Sequence, residues 1–175
     1  EDGFYTAGQN ETDDVVAAIS WLKDKGIKPS NIGLYGNSVG ALVALMTPAK
    51  SNDFGSIAVI DPPVDFKTLV REEMAYQGLP TFLWEPIHHY AGIFKGVNML
   101  KDIPEQALEK GNKQPLLIFT GMLSDRILAH HSDDLVDIAI QNEIEYSIQT
   151  SVLQRLELNF SENWAQEFKD IVLNG

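Results

Sequence analysis

Ile32-Gly33-Leu34-Tyr35-Gly36-Asn37-Ser38-Val39-Gly40, followed at once by Ala41-Leu42-Val43-Ala44-Leu45-Met46, is the stretch that decides the fold. A short apolar run ends at a glycine, a serine stands between two glycines, and a helix-forming apolar run follows. The pattern predicts strand, sharp turn and helix, with Ser38 at the apex. A turn this tight puts its apical residue in a strained backbone conformation, and small flanking residues let strand and helix close on each other. The Ser38 hydroxyl then projects from the carboxyl end of the strand, and the Val39 N–H points at anything bonded to it. The bland alternative is an ordinary strand-to-helix turn in which Ser38 only caps the helix. Gly-x-Ser-x-Gly arises by chance in about one chain in twenty of this length, so the flanking strand and helix carry the weight.

Outward from that stretch, residues 1–10 read as loop, and Thr12 is the expected N-cap of a helix ending near Gly26. Val15, Ile19 and Leu22 supply its apolar stripe, with Asp13 and Asp14 in the first turn, where the helix dipole favours negative charge. The helix after Ser38 runs to about Met46 and stops before Pro48. Residues 56–60 form a second strand, ended by Asp61-Pro62-Pro63. Residues 64–111 read as an irregular insertion with one helix near 67–77, interrupted by Pro80, Pro86 and Pro104. A third strand covers 115–119, and Ser132 caps a helix through about Asn142. Residues 144–150 alternate as an edge strand does. A last helix from Ser161 carries Trp164, Phe168, Ile171 and Val172. Strands alternating with helices predict one α/β domain, a mostly parallel sheet of four strands with helices on both faces. Ligands of such sheets bind beyond the carboxyl ends of the strands, the rim on which Ser38, Asp61 and Asp125 fall.

Composition narrows the function. The 175 residues suffice for one sizeable core, and 44% are hydrophobic without any run long enough to span a membrane. A net charge of −12 argues against nucleic acid as a partner, because a phosphate backbone requires a basic footprint. The absence of cysteine excludes disulfides and thiolate chemistry. No signal-peptide pattern opens the chain, so the cytoplasm is the default compartment. The histidines stand in two adjacent pairs, His88-His89 and His130-His131. Neighbouring side chains project differently, so neither pair has the i,i+4 geometry of a metal motif, and no metal site is expected. His131 is expected to pack or cap near its helix start. Trp84, Tyr90 and Phe94 either line an acyl pocket or form a small core of the insertion.

Gly36-Asn37-Ser38-Val39-Gly40, with its strand and helix, resembles the nucleophile elbow of the α/β-hydrolase family. The order of elements extends the resemblance over essentially the whole chain, nearest the serine peptidase and esterase branch. It looks like the carboxyl-terminal half of that fold, with 64–111 as a lid-like insertion. The resemblance implies acyl transfer to water from a small-molecule ester, thioester or amide, with Ser38 as nucleophile and the Val39 N–H as half of the oxyanion hole. No metal or organic cofactor is implied. The branch places its acid in the loop after the third strand, usually three residues past the glycine. Counted from Gly121, that is Ser124, with Asp125 next. Asp125 is the acid after a one-residue shift, or the acid is lost to Ser124; Asp61 is a further candidate. The family's histidine belongs between the last strand and last helix, where this chain has Leu156 and no histidine between 151 and 160. Leucine accepts no proton, so a weak or inactive hydrolase is expected of the chain as it stands. The alternative is a non-catalytic binding or structural module that has lost its triad. The family's earlier strands would lie before residue 1, so a missing amino-terminal half or a second chain is expected against the elbow strand.

Overall fold

A computed structural model describes residues 6, 8–95, 103–121 and 127–151, with the backbone alone at 91–95 and 151. Its order is α1 (Glu11–Asp24), β1 (Gly33–Asn37), α2 (Val39–Met46), β2 (Ser56–Ile60), α3 (Phe66–Tyr76), α4 (Trp84–Lys95), α5 (Pro104–Lys110), β3 (Leu116–Gly121), α6 (His130–Gln141) and β4 (Tyr146–Ser151). The four strands form one sheet in the order β1-β2-β3-β4. All three pairings are parallel, with Asn37 opposite Ile60, Ile60 opposite Phe119 and Phe119 opposite Gln149. The expected α/β class and parallel sheet are therefore the observed ones. The expected helix from Ser161, with Trp164, Phe168, Ile171 and Val172, lies outside the described residues.

Burial explains why two of the strands are unbroken apolar runs. Every residue of β2 is buried, and β3 is buried except at Phe119, as befits strands covered on both faces. β1 alternates instead: Leu34 and Gly36 are buried while Gly33, Tyr35 and Asn37 are exposed. One continuous core joins Leu34, Ile57, Val59, Leu116 and Ile118 of the sheet to Ile19, Ala41, Ala44, Leu45, Leu108, Leu135 and Ile138 of four helices. α2 buries five of its eight residues, so it is apolar nearly all round, the pattern of a helix inside the core.

Several boundaries differ from the sequence expectation for reasons of hydrogen bonding. α1 begins at Glu11, and Thr12 lies inside it, donating its hydroxyl to the Gln9 carbonyl at 2.8 Å. No side chain caps α1; Glu11 instead ties down the loop before it, accepting from the Thr6 N–H and hydroxyl, both at 2.7 Å, and from the Gly8 N–H at 2.9 Å. Burial alone would raise the Glu11 carboxyl, but these bonds prevail and hold it below its ordinary value. α6 starts at His130 rather than Ser132, because the N–H groups of Ser132 and Asp133 both close on the Ala129 carbonyl.

The insertion between β2 and β3 is more helical than its prolines suggested. Pro86 falls in the first turn of α4, and Pro104 is the first residue of α5. At those positions a proline removes an N–H that has no partner in the helix anyway. Asp65 caps α3, accepting from the N–H groups of Lys67 and Thr68 and from the Thr68 hydroxyl. Trp84 is 2% exposed. It meets Phe66 edge-on at 6.3 Å and stacks on His88 at 5.5 Å between ring centroids.

Candidate active site

The turn between β1 and α2 has the backbone that the sequence predicted. Ser38 sits at φ 53°, ψ −119°, and its side chain makes no capping hydrogen bond to α2. An ordinary capping serine would sit at negative φ and use its oxygen on the helix; Ser38 does neither. The backbone holds it from both sides: its N–H donates to the Ile60 carbonyl at 2.9 Å, and its carbonyl accepts from Ala41 at 2.9 Å and Leu42 at 3.3 Å. Val39 is the first residue of α2, so no preceding turn of helix offers its N–H a carbonyl, and that N–H is left for an incoming acceptor.

The two flanking glycines are not equivalent. A Cβ built on Gly36 would stand 2.2 Å from the Gly40 carbonyl oxygen and 2.6 Å from the Ala41 nitrogen. That close approach admits only hydrogen. A Cβ on Gly40 meets nothing within 4 Å among the described residues. The expectation that both positions must be small for closure therefore holds at Gly36 and fails at Gly40, because Gly40 presents its backbone, not its α-hydrogen, to the strand.

Asp61 lies on the same rim at the end of β2 and has φ 43°. Its N–H donates to the Phe119 carbonyl and its Oδ1 accepts the Gly121 N–H, both at 2.9 Å. The side chain thus ties the end of β2 to the end of β3. Burial raises its carboxyl above the ordinary value, and the Gly121 bond offsets part of the rise. Asp125 and Ser124 lie outside the described residues, as does Leu156 with the rest of 152–175.

Among the described residues no histidine is hydrogen bonded to Ser38. His89 Nδ1 lies 3.2 Å from the Glu85 carbonyl, and His88 is occupied by its stack on Trp84. His130 and His131 depart from what their adjacency implied. About 100° separates neighbours around a helix, yet their rings stack at 4.3 Å between centroids and both Nε2 atoms converge on Glu72 of α3. His131 is 1% exposed and does pack at the helix start. Glu72 was invisible to a motif search because 59 residues and a different helix separate it from His131. Of the aromatic residues weighed for an acyl pocket, Trp84 belongs to the core of the insertion and Tyr90 is exposed; the Phe94 side chain lies outside the described residues. A depression lined by Leu108, Lys113, Gln141 and Glu143 lies on the opposite rim, at the amino-terminal ends of β3 and β4. No helix among the described residues is long and apolar enough to cross a membrane.

This geometry has counterparts. The sequence profile of the prolyl oligopeptidase family matches residues 1–153. No curated protein matches the sequence. A dipeptidyl peptidase 4 of Porphyromonas gingivalis superposes with a TM-score of 0.66 at 16% identity, covering 96% of this chain and 23% of that protein. An esterase of Pyrococcus furiosus superposes at 0.63 and 21% identity, covering 97% of this chain and 63% of the esterase. A puromycin-hydrolysing peptidase of Mycobacterium tuberculosis gives 0.62 at 15% identity, covering 83% of this chain and 22% of the peptidase. The chain thus spans from about a fifth to under two thirds of the length of these proteins. The chain belongs to the prolyl oligopeptidase family and carries part of the α/β-hydrolase fold of the serine peptidase and esterase branch.

Proposed function

We propose that this chain is the elbow-bearing part of a serine hydrolase that cleaves ester or amide bonds, with Ser38 as its nucleophile. The observation that carries the reading is the positive φ of Ser38 combined with a side chain unused by the helix. In the reaction, Ser38 Oγ attacks the carbonyl carbon while its proton passes to a base. The oxyanion that forms lies where the Val39 N–H supplies one of the donors. Collapse expels the alcohol or amine, which takes the proton from the base. Water then releases the acid from the serine ester by the same route. Asp125 is the acid assigned to orient the base. The relatives named as peptidases and as an esterase support a small ester, amide or peptide as substrate.

The base is the weak point of the chain taken alone. None of the four histidines stands where the family has its own, and Leu156 occupies that place. The isolated chain is therefore expected to be nearly inactive, with a residual activity set by oxyanion stabilisation. A fluorophosphonate probe decides the matter: rapid labelling of the isolated chain that disappears in Ser38→Ala would show a working triad and overturn this expectation. Loss of the base favours a second reading, a non-catalytic binding module on the same fold. Labelling of Ser38 in the longest form of the protein, with none in the isolated chain, supports the hydrolase; none in either supports the module.

The same reading includes further structure against β1, which pairs with β2 alone among the described residues. An open parallel edge at the elbow strand is a template for pairing. Either additional residues of the protein or a second chain cover it. A monodisperse monomer of this chain by light scattering, stable without a partner, would refute that.

A further inference from the structure

We propose that Glu72, His130 and His131 form a binding site for a divalent transition-metal cation of the zinc type. Glu72 Oε1 faces His130 Nε2 at 3.2 Å, and Glu72 Oε2 faces His131 Nε2 at 3.1 Å. One ligand atom from each residue lies within 4.8 Å of the other two. Zinc holds imidazole nitrogen at about 2.0–2.1 Å and carboxylate oxygen at about 2.0–2.2 Å, so tetrahedral ligand atoms stand roughly 3.3–3.4 Å apart. The two separations, made to the two different oxygens of Glu72, are within about 0.3 Å of that spacing.

The donor set selects the cation. Two imidazoles and one carboxylate suit zinc and its neighbours, whereas calcium and magnesium require mostly oxygen. Three protein ligands leave a fourth position for water. His131, at 1% exposure, has its place fixed by the core, while the His130 side chain is 43% exposed and gives the ion a way in. With the ion bound, the lone pairs of both Nε2 atoms point inward, and any proton held there is released. The site joins α3, in the insertion, to the first turn of α6, which follows the stretch containing Asp125. Occupancy would clamp the insertion to the body of the sheet. The inference does not depend on Ser38 being a nucleophile, because none of its ligands takes part in that chemistry.

Calorimetric titration of the full chain with zinc chloride near neutral pH tests it. One site per chain with a dissociation constant on the order of micromolar is expected. Glu72→Gln and His130→Ala should each weaken binding at least about 30-fold, and His89→Ala should leave it unchanged. Both weakening substitutions are tolerated by the fold, since the first is nearly isosteric and the second is on an exposed side chain; circular dichroism checks this. Cobalt should substitute with an absorption spectrum of tetrahedral intensity. No saturable binding up to about 1 mM zinc, or binding that survives both Glu72→Gln and His130→Ala, overturns the proposal.

Discussion

The sheet and the insertion between β2 and β3 treat apolar side chains in opposite ways. Ile57, Val59, Ile60 and Ile118 are shut away from water at the centre of the sheet. Phe82 is 72% exposed, and Tyr76, Leu79, Ile87 and Tyr90 are each more than half exposed, all on α3, α4 and the short link between them. The insertion has a core of its own, built on Trp84, but it is small. Burial of apolar area is what stabilises a fold, at about 25 cal/mol per Å², so the two regions differ in how much they contribute. The sheet positions Ser38 through the end of β1 and its N–H bond to Ile60 of β2. Glu72 of the insertion reaches His130 and His131 of α6, whereas the exposed pair of Lys67 with Glu85 joins only α3 to α4 within the insertion. Elements held in this way lie at the low-stability end of a structure, where ligand-responsive segments are drawn from.

Substitutions at three positions grade that contrast. Gly36→Ala strikes the tightest point of the sheet, where the new methyl would overlap the Gly40 carbonyl. It should cost at least about 3 kcal/mol or prevent folding, read by urea unfolding or by recovery of soluble protein. A loss under about 1 kcal/mol would mean that β1 and α2 can separate, and the rigid half of the contrast would fall.

Asp61 sits at the junction and separates charge from hydrogen bonding. Asp61→Ala removes the acceptor of the Gly121 N–H and should cost about 1 kcal/mol. Asp61→Asn keeps an acceptor and tolerates φ 43°. Because the folded carboxyl is raised, its favourable contribution is present below the ordinary carboxylate value and is lost as pH rises through the raised one. At neutral pH the asparagine variant should therefore be at least as stable as the parent, and its advantage should shrink on acidification. Thermal unfolding at a series of pH values gives the sign; an advantage that grows on acidification would refute the burial argument.

Phe82→Ser belongs at the small end. It should change stability by less than about 0.5 kcal/mol and raise solubility. A cost above about 1 kcal/mol would show that the exposed aromatic face of the insertion is packed against something, and the difference between the regions would narrow.

What could be read from residues alone follows the same division. The strands, their parallel pairing and the turn at Ser38 were readable because local pattern and tertiary demand agree there: β-branched runs, a glycine that cannot be larger, and a helix apolar all round. The start of α1 differs from the expectation at Thr12 because Glu11, already in the helix, accepts the N–H groups of the preceding loop, and a carboxylate that reaches back in this way has no simple signature. In the insertion the prolines suggest interruption, whereas Pro86 and Pro104 stand at helix beginnings, where proline costs nothing. Glu72 could not be found at all. Its meeting with His130 and His131 depends on how α3 packs against α6, which no local spacing encodes. Asp125, the acid of the proposed triad, and the stretch around Leu156, where the family has its histidine and this chain has none, both lie outside the described residues.

The left-handed conformation of Ser38 has a meaning for the history of the chain. A non-glycine residue in such a region costs roughly 1–3 kcal/mol, a factor of about five to more than a hundred in the ratio of folded to unfolded molecules. Glycine at the same place would be free of that burden, and a single-base change in a serine codon of the right type supplies it. A serine kept there without employment is thus a standing handicap that random mutation is well placed to erase. Its presence at φ 53° dates any loss of chemistry as recent, or argues that the hydroxyl is still in use.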